Sequence, residues 1–134
     1  MDELIIKGTQ NTPGIILRPE GYIRFDGRGL SEQCDDLFEQ VLSWMEKYLK
    51  EPPEITTVII ALEYLNSMSS KILVTILKEV CRLTETGNQF FVHWCYEEGD
   101  EDILERGEFI ASSLDIPIDF IRSKNIKHCC KSIC

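Results

Sequence analysis

The sequence predicts an α/β fold: a single small domain in which about three helices pack on a mixed β-sheet that starts with an N-terminal hairpin. A length of 134 residues suits one domain. Two short strand-like segments flank a glycine near the start of the chain. Beyond them, segments with an apolar residue every three or four positions alternate with continuous apolar runs, which is typical of helices covering a sheet.

The first elements are a hairpin and a helix. Residues 14–20 and 22–26 predict two strands joined at Gly21. Ser31 has a side chain suited to cap a helix, and Pro52 cannot continue one. The apolar face predicted for this helix consists of Leu37, Val41, Trp44, Met45, Tyr48 and Leu49.

The rest of the chain alternates strands and helices. The run VIIAL is rich in branched side chains, a pattern typical of a strand buried on both faces. Gly87 is placed to end the second helix, and Pro117 puts the last strand at an edge because proline has no N–H for the ladder. The predicted strands are 58–62, 90–96 and 116–121, and the apolar faces of the two helices fall within 72–83 and 103–114.

Six cysteines are present, and half of them lie in the last six residues. We expect one domain over residues 1–124 and a Cys-containing tail over 125–134. Cys34, Cys81 and Cys95 lie in periodic apolar segments, where a free thiol packs as a small apolar group. The cysteines of the tail lack the ligand spacing that zinc sites favour. They are Cys129, Cys130 and Cys134.

The charge balance excludes several function classes. The net charge is −9, which opposes binding to nucleic-acid phosphates. No run of ~18 apolar residues is present, so we expect no membrane span. The first ten residues are acidic and lack the apolar core of a secretory signal, so we expect a cytoplasmic protein.

Residues typical of an enzyme active site are scarce. His93 lies within a predicted strand and His128 in the tail, and no GxSxG, P-loop or dinucleotide fingerprint occurs. We therefore expect no catalytic residue, no cofactor and no metal. Two alternatives remain open: a small metal-dependent enzyme using the acidic residues of 97–108, and a thiol redox sensor using the cysteines of the tail.

Three serines stand between the buried strand and the second helix. They are Ser67, Ser69 and Ser70. The free N–H groups and the dipole of a helix start favour a negative group there, so a phosphate on one of these hydroxyls would be locally stabilised. Plain N-capping, which needs one hydroxyl, is the alternative.

An acidic cluster covers residues 97–108. It holds seven acidic residues against one base, Arg106, for a net charge of −6. Acidic residues at a helix start complement the helix dipole. The cluster also suits a docking face for a basic partner.

The order and spacing of several short blocks resemble those of one protein family. The first blocks are Gly8-Thr9-Gln10-x-Thr12-Pro13 and Leu37-Phe38-x-x-Val41-x-x-Trp44. The next are Tyr64-Leu65-Asn66-Ser67-x-Ser69-x-Lys71, Trp94-x-Tyr96-Glu97-Glu98 and Asp100-Glu101-Asp102-Ile103, followed by Glu105, Gly107 and Glu108. Together they cover nearly the whole chain except the tail, and they resemble the SiaC family of bacterial regulatory phosphoproteins.

The resemblance implies a STAS-like fold, as in anti-sigma-factor antagonists, and a signalling switch rather than an enzyme. A cognate serine/threonine kinase of the anti-sigma-factor type would phosphorylate the protein, and a metal-dependent protein phosphatase would reset it. The unphosphorylated form would bind and activate a downstream signalling enzyme, which in the family includes a diguanylate cyclase. The family's phosphoacceptor is a threonine directly after Leu-Asn; Ser67 stands at that position, and Ser69 is the second candidate.

Partner contacts are expected around this hydroxyl and on the acidic cluster. A phosphate placed on a surface that must lose its water on docking would weaken binding without unfolding the domain. The expected partner-binding residues are Tyr64, Asn66, Ser69, Lys71, Glu97, Glu98, Asp100, Glu101 and Asp102.

Overall fold

A six-stranded mixed sheet lies at the centre of the molecule. The computed structural model describes residues 1–28 and 35–126, and the strands of the sheet follow one another in chain order. The first three strands pair antiparallel and the last three continue the sheet in parallel. They are β1 (Leu4–Ile6), β2 (Gly14–Arg18), β3 (Tyr22–Gly27), β4 (Ile55–Leu62), β5 (Gln89–Glu97) and β6 (Ile118–Ser123).

Three helices connect the parallel strands and cover one face of the sheet. Right-handed crossovers between neighbouring parallel strands put successive helices on the same side. One core cluster accordingly joins alternate strand residues, such as Ile60 and Trp94, to residues of all three helices. The helices are α1 (Asp35–Tyr48), α2 (Ser67–Cys81) and α3 (Glu101–Leu114), and a 3₁₀ turn (Arg82–Thr86) extends α2.

The opposite face of the sheet has a smaller cluster. Ile59, Ala61, Cys95 and Ile126 are buried there, so the expectation that the run VIIAL is covered on both faces is confirmed. Cys95 is disulfide-bonded, and its partner lies outside the described residues. The expectation of a free thiol at Cys95 is therefore wrong, whereas Cys81 is free.

The predicted fold class is confirmed, with three local differences. β1 was not predicted, because three residues are too few to show a period of two. α2 begins at Ser67 rather than near residue 72, since Asn66 caps it. Gly87, with φ of 79°, ends the 3₁₀ turn instead of α2 itself. The proposed cap Ser31, together with Cys34 and the cysteines of the tail, lies outside the described residues.

Candidate functional site

The start of α2 is built on a side-chain cap. Leu65 is buried in the core just after β4, which fixes where the chain enters the helix. Asn66 then has an extended backbone, and its Oδ1 accepts hydrogen bonds from the Ser69 backbone N–H at 2.8 Å and the Ser69 hydroxyl at 2.9 Å. This is the arrangement of an N-cap, which satisfies an otherwise unpaired N–H of the first turn.

The two candidate phosphoacceptors have opposite environments. Ser69 is 0% exposed, and its hydroxyl is held by Asn66. Ser67, at the first position of α2, is exposed. A kinase can therefore reach Ser67 on the folded domain, whereas Ser69 is reached only by opening the cap. Asn66 and Ser69, both expected to contact a partner, form the cap that holds the helix start together.

A groove of about 620 Å³ runs between α2 and α3, and Ser67 lies on its wall. Phe109 of α3 is the most exposed large apolar side chain of the described residues, at 71%. Tyr64 and Met68, which lie three residues before and one residue after Ser67 in the chain, are also about half exposed. The side chains that line the groove with Ser67 and Phe109 include Ser70, Lys71, Val74, Asp102 and Arg106.

Arg106 connects the two walls of the groove. Its Nη1 donates to Ser70 Oγ on α2 at 3.3 Å, and its Nε donates to Asp102 Oδ2 at 3.2 Å, one turn earlier on α3. Lys71 and Asp102, both expected near a partner, therefore share the groove with Ser67.

The acidic cluster divides into residues with different positions. Asp100 caps α3, because its Oδ1 accepts from the Ile103 N–H at 3.2 Å. Asp102 and Glu105 line the groove. Glu97, Glu98 and Glu101 are exposed at the end of β5 and the start of α3.

Close packing against β5 positions α3, and hence one wall of the groove. The indole N–H of Trp94 donates to the Ile103 carbonyl at 3.0 Å. Gly107 faces the same indole, and a Cβ at this position would lie 2.6 Å from the ring. Glycine therefore lets α3 approach the sheet closely. This packing explains why Trp94 and Gly107 occur together among the short motifs described above.

The sequence predicts only part of the α3 side of the groove. Asp102 is among the expected partner-binding residues, whereas Arg106 figures only as the one base of the acidic cluster and Phe109 lies outside the predicted apolar face of its helix. A signal for Phe109 was available: it is an apolar residue outside the stripe formed by Ile103, Ile110 and Leu114. An apolar side chain outside the buried stripe points to a second contact surface.

The described residues bear on one of the two alternative functions. Across residues 1–28 and 35–126, no group of three or more His, Cys, Asp or Glu side chains could hold a metal ion. The cysteines of the tail, on which the redox alternative depends, lie outside the described residues. No helix in the described part of the chain is long and apolar enough to cross a membrane.

His93 is a residue of β5 on the face of the sheet opposite α1, α2 and α3, and it is not part of the groove. Its Nδ1 is buried and lies 3.6 Å from Asp119 Oδ2, which is too long for a hydrogen bond.

Known proteins share this architecture and much of the sequence pattern. A chain in the crystal structure of diguanylate cyclase SiaD in complex with its activator SiaC from Pseudomonas aeruginosa superimposes with a TM-score of 0.81. It is 27% identical, and the match covers 90% of this chain and 99% of that one. SiaC of Pseudomonas aeruginosa, in another structure, matches with a TM-score of 0.76 and 28% identity, over 92% of this chain and 100% of that one.

Sequence comparison agrees with the structural match. An uncharacterized protein of Pseudomonas aeruginosa strain UCBPP-PA14 is 29% identical over 118 residues, which is 87% of this chain and 94% of that protein. The sequence profile of the SiaC family regulatory phosphoproteins matches residues 6–123, and so includes both the exposed serine and the groove beside it. The chain belongs to the SiaC family of regulatory phosphoproteins.

Proposed function

We propose that this protein is a phosphorylation-controlled activator of a diguanylate cyclase and is not itself an enzyme. The unphosphorylated form binds and activates the cyclase in the cytoplasm. A kinase of the anti-sigma-factor type phosphorylates Ser67 and releases the cyclase, and a metal-dependent phosphatase restores the active form. The observation that carries the proposal is the exposed hydroxyl of Ser67 on the wall of an open groove, in a chain whose structural relative SiaC is the activator of the cyclase SiaD.

The surface around Ser67 has the composition of a docking site. Tyr64, Met68 and Phe109 present apolar area to solvent, which favours binding to a partner. Lys71 and Asp102 supply one charge of each sign within the same groove, so they can select a partner with complementary charges. The expected contacts of the acidic cluster outside the groove are Glu97, Glu98, Asp100 and Glu101.

A phosphate on Ser67 suits the off state on physical grounds. It adds about −1.5 to −2 charges at neutral pH. Docking strips water from the surface, and an added charge that the partner does not complement costs several kcal/mol, roughly a thousandfold in affinity. Because Ser67 is exposed, the phosphate leaves the core packing intact.

The first test measures cyclase activation by Ser67 variants. The cyclase is first captured from the native cytoplasm with the protein carrying Ser67→Ala. Each variant is then added to the cyclase, and the formation of cyclic di-GMP is measured. We expect Ser67→Ala to activate fully and Ser67→Asp to lose activation by at least tenfold, with the melting temperature nearly unchanged. Ser113→Asp is the matched control, since it adds the same charge at an exposed position on α3.

Full activation by Ser67→Asp, or equal loss in Ser113→Asp, contradicts the proposed switch. The site itself is checked by incubating the protein with its kinase and ATP and mapping the phosphate by mass spectrometry. A phosphate on Ser69 would show that the cap opens during the reaction, and Ser67 would then not be the acceptor.

A further inference from the structure

The groove between α2 and α3 carries more positive than negative side chains. Lys71, Lys78 and Arg106 line it, against the carboxylates of Asp102 and Glu105. This balance is opposite to that of the whole chain, whose net charge is −9. A concave surface with such a local excess attracts an anion.

Arg106 reaches across the groove close to Ser67. Its contact on α2, Ser70, lies three residues after Ser67, and Cβ atoms at that spacing on a helix are about 5–6 Å apart. The Arg106 side chain is 32% exposed, so its guanidinium borders the open part of the groove. A phosphate that extends the Ser67 side chain into this groove therefore comes within reach of Arg106.

Lys71 is the second cation at this end of the groove. It lies four residues after Ser67 and lines the same groove, so the two side chains share one face of α2. The Lys71 side chain is exposed and can turn toward Ser67. Lys78 lies two turns further along α2, ~10 Å away along the helix axis.

We propose that Arg106 and Lys71 hold the phosphate of phosphorylated Ser67, so that modification draws α2 and α3 together across the groove. This proposal rests on the proposed phosphorylation of Ser67. The planar guanidinium fork matches two phosphate oxygens, and the ammonium group of Lys71 meets the third. To bind the phosphate, Arg106 must loosen its ion pair with Asp102. This ion pair is exposed and at i,i+4 spacing, so it is weak. Phosphorylation then closes the groove as well as adding charge to it.

The test follows the ionisation of a phosphoserine placed at residue 67 during synthesis of the full chain. Phosphorus NMR gives the midpoint of its second ionisation in the folded protein and in the same protein unfolded by urea. Nearby cations favour the dianion, so we expect the folded midpoint to lie about one pH unit below the unfolded one. Arg106→Gln and Lys71→Gln should each remove a substantial part of that shift, and the part that remains comes from the helix start itself. Lys78→Gln, the matched control, should leave it unchanged.

The outcomes distinguish the clamp, meaning the hold of Arg106 and Lys71 on the phosphate, from the switch, meaning control of cyclase activation by phosphorylation. The clamp is overturned if the phosphate ionises with the same midpoint in the parent and in Arg106→Gln. It is also overturned if the midpoint is the same in the folded and the unfolded parent. Circular dichroism checks that every variant is folded, and Arg106→Lys, which keeps the charge and loses the fork, should keep part of the shift. Because the measurement needs neither kinase nor cyclase, its failure leaves the switch standing. A phosphorylated chain that still activates the cyclase would contradict the switch alone.

Discussion

Asn66 holds the first turn of α2 in place, because its side chain accepts hydrogen bonds from the backbone N–H and the hydroxyl of Ser69. Removing an N-cap side chain typically costs about 1 kcal/mol. We expect Asn66→Ala to lower the free energy of unfolding by about that amount, as measured by urea denaturation.

Asn66→Asp is the control for the cap. A carboxylate also accepts hydrogen bonds from the first turn, and its charge suits the positive end of the helix dipole. We therefore expect it to unfold at the same urea concentration as the parent or a higher one. Equal losses in both variants would mean that Asn66 stabilises the protein through something other than its acceptor oxygen.

The sequence could not distinguish Ser67 from Ser69, because both hydroxyls follow the same Leu-Asn pair. Two residues along a helix correspond to about 200° of rotation, so one serine faces out when the other faces in. Which of them is buried depends on how α2 lies against the core, and that is a tertiary contact. The exposure of Ser67 supports it as the acceptor, and mapping the phosphate remains the test.

Among the elements, α3 is held against the sheet by a contact that tolerates no added atom. A methyl group at Gly107 would lie 2.6 Å from the Trp94 ring, so Gly107→Ala must push α3 or the indole aside. Overpacking of this kind costs roughly 1–3 kcal/mol. We expect a loss of stability within that range, a change in Trp94 fluorescence, and weaker cyclase activation because α3 forms one wall of the groove.

Ser113→Ala is the control for this substitution. It also changes one small residue of α3, but at an exposed position, where the expected change is within about 0.5 kcal/mol. If Gly107→Ala were as stable as Ser113→Ala, the close approach of α3 to Trp94 would not be needed.

The alternation of helices and strands could be predicted because each element carries its own hydrophobic period. The three residues of β1 were too few for that, and they pair only with β2 at the edge of the sheet. The start of α2 was placed too late because its first turn is polar, and only the cap at Asn66 reveals it. The last strand lies at an edge of the sheet, as predicted, but it begins at Ile118, so Pro117 precedes the strand rather than lying within it.

Across the whole molecule, one buried phenol links stability to alkaline pH. The Tyr48 hydroxyl is 2.6 Å from Thr56 Oγ1, which joins α1 to β4. Burial raises the pKa of Tyr48 above its ordinary value of 10.0, and the hydrogen bond with Thr56 opposes this only in part. The unfolded chain therefore ionises first. Stability is complete below pH 10 and falls as the pH rises through the folded-state pKa.

We expect Tyr48→Phe to be about 1–2 kcal/mol less stable at neutral pH, because the Thr56 hydroxyl loses its partner. Between neutral pH and about pH 11, the free energy of unfolding of the variant should fall by less than that of the parent, as measured by urea denaturation. Both comparisons use chains with Cys81→Ala, since burial also raises the pKa of that thiol and would add its own decline.

Tyr64→Phe serves as the control because this side chain is half exposed. It should follow the alkaline profile of the parent. Parallel profiles for the parent and Tyr48→Phe would contradict the assigned role of the buried phenol.

At the scale of the whole molecule, only part of the candidate site could be predicted from the sequence. Ser67, Lys71 and the acidic residues come from continuous segments and could be found along the chain. The groove joins α2 to α3, so Arg106 and Phe109 gain their meaning only from how two helices lie side by side. The disulfide of Cys95 is likewise not visible in the local sequence pattern.

The chain-ordered arrangement of the strands has a consequence for biosynthesis. Every strand forms its ladder with the strand made just before it, so a chain leaving the ribosome always finds its pairing partner already synthesised. We expect assembly to advance from β1 towards β6 during translation, with each helix closing behind the latest strand.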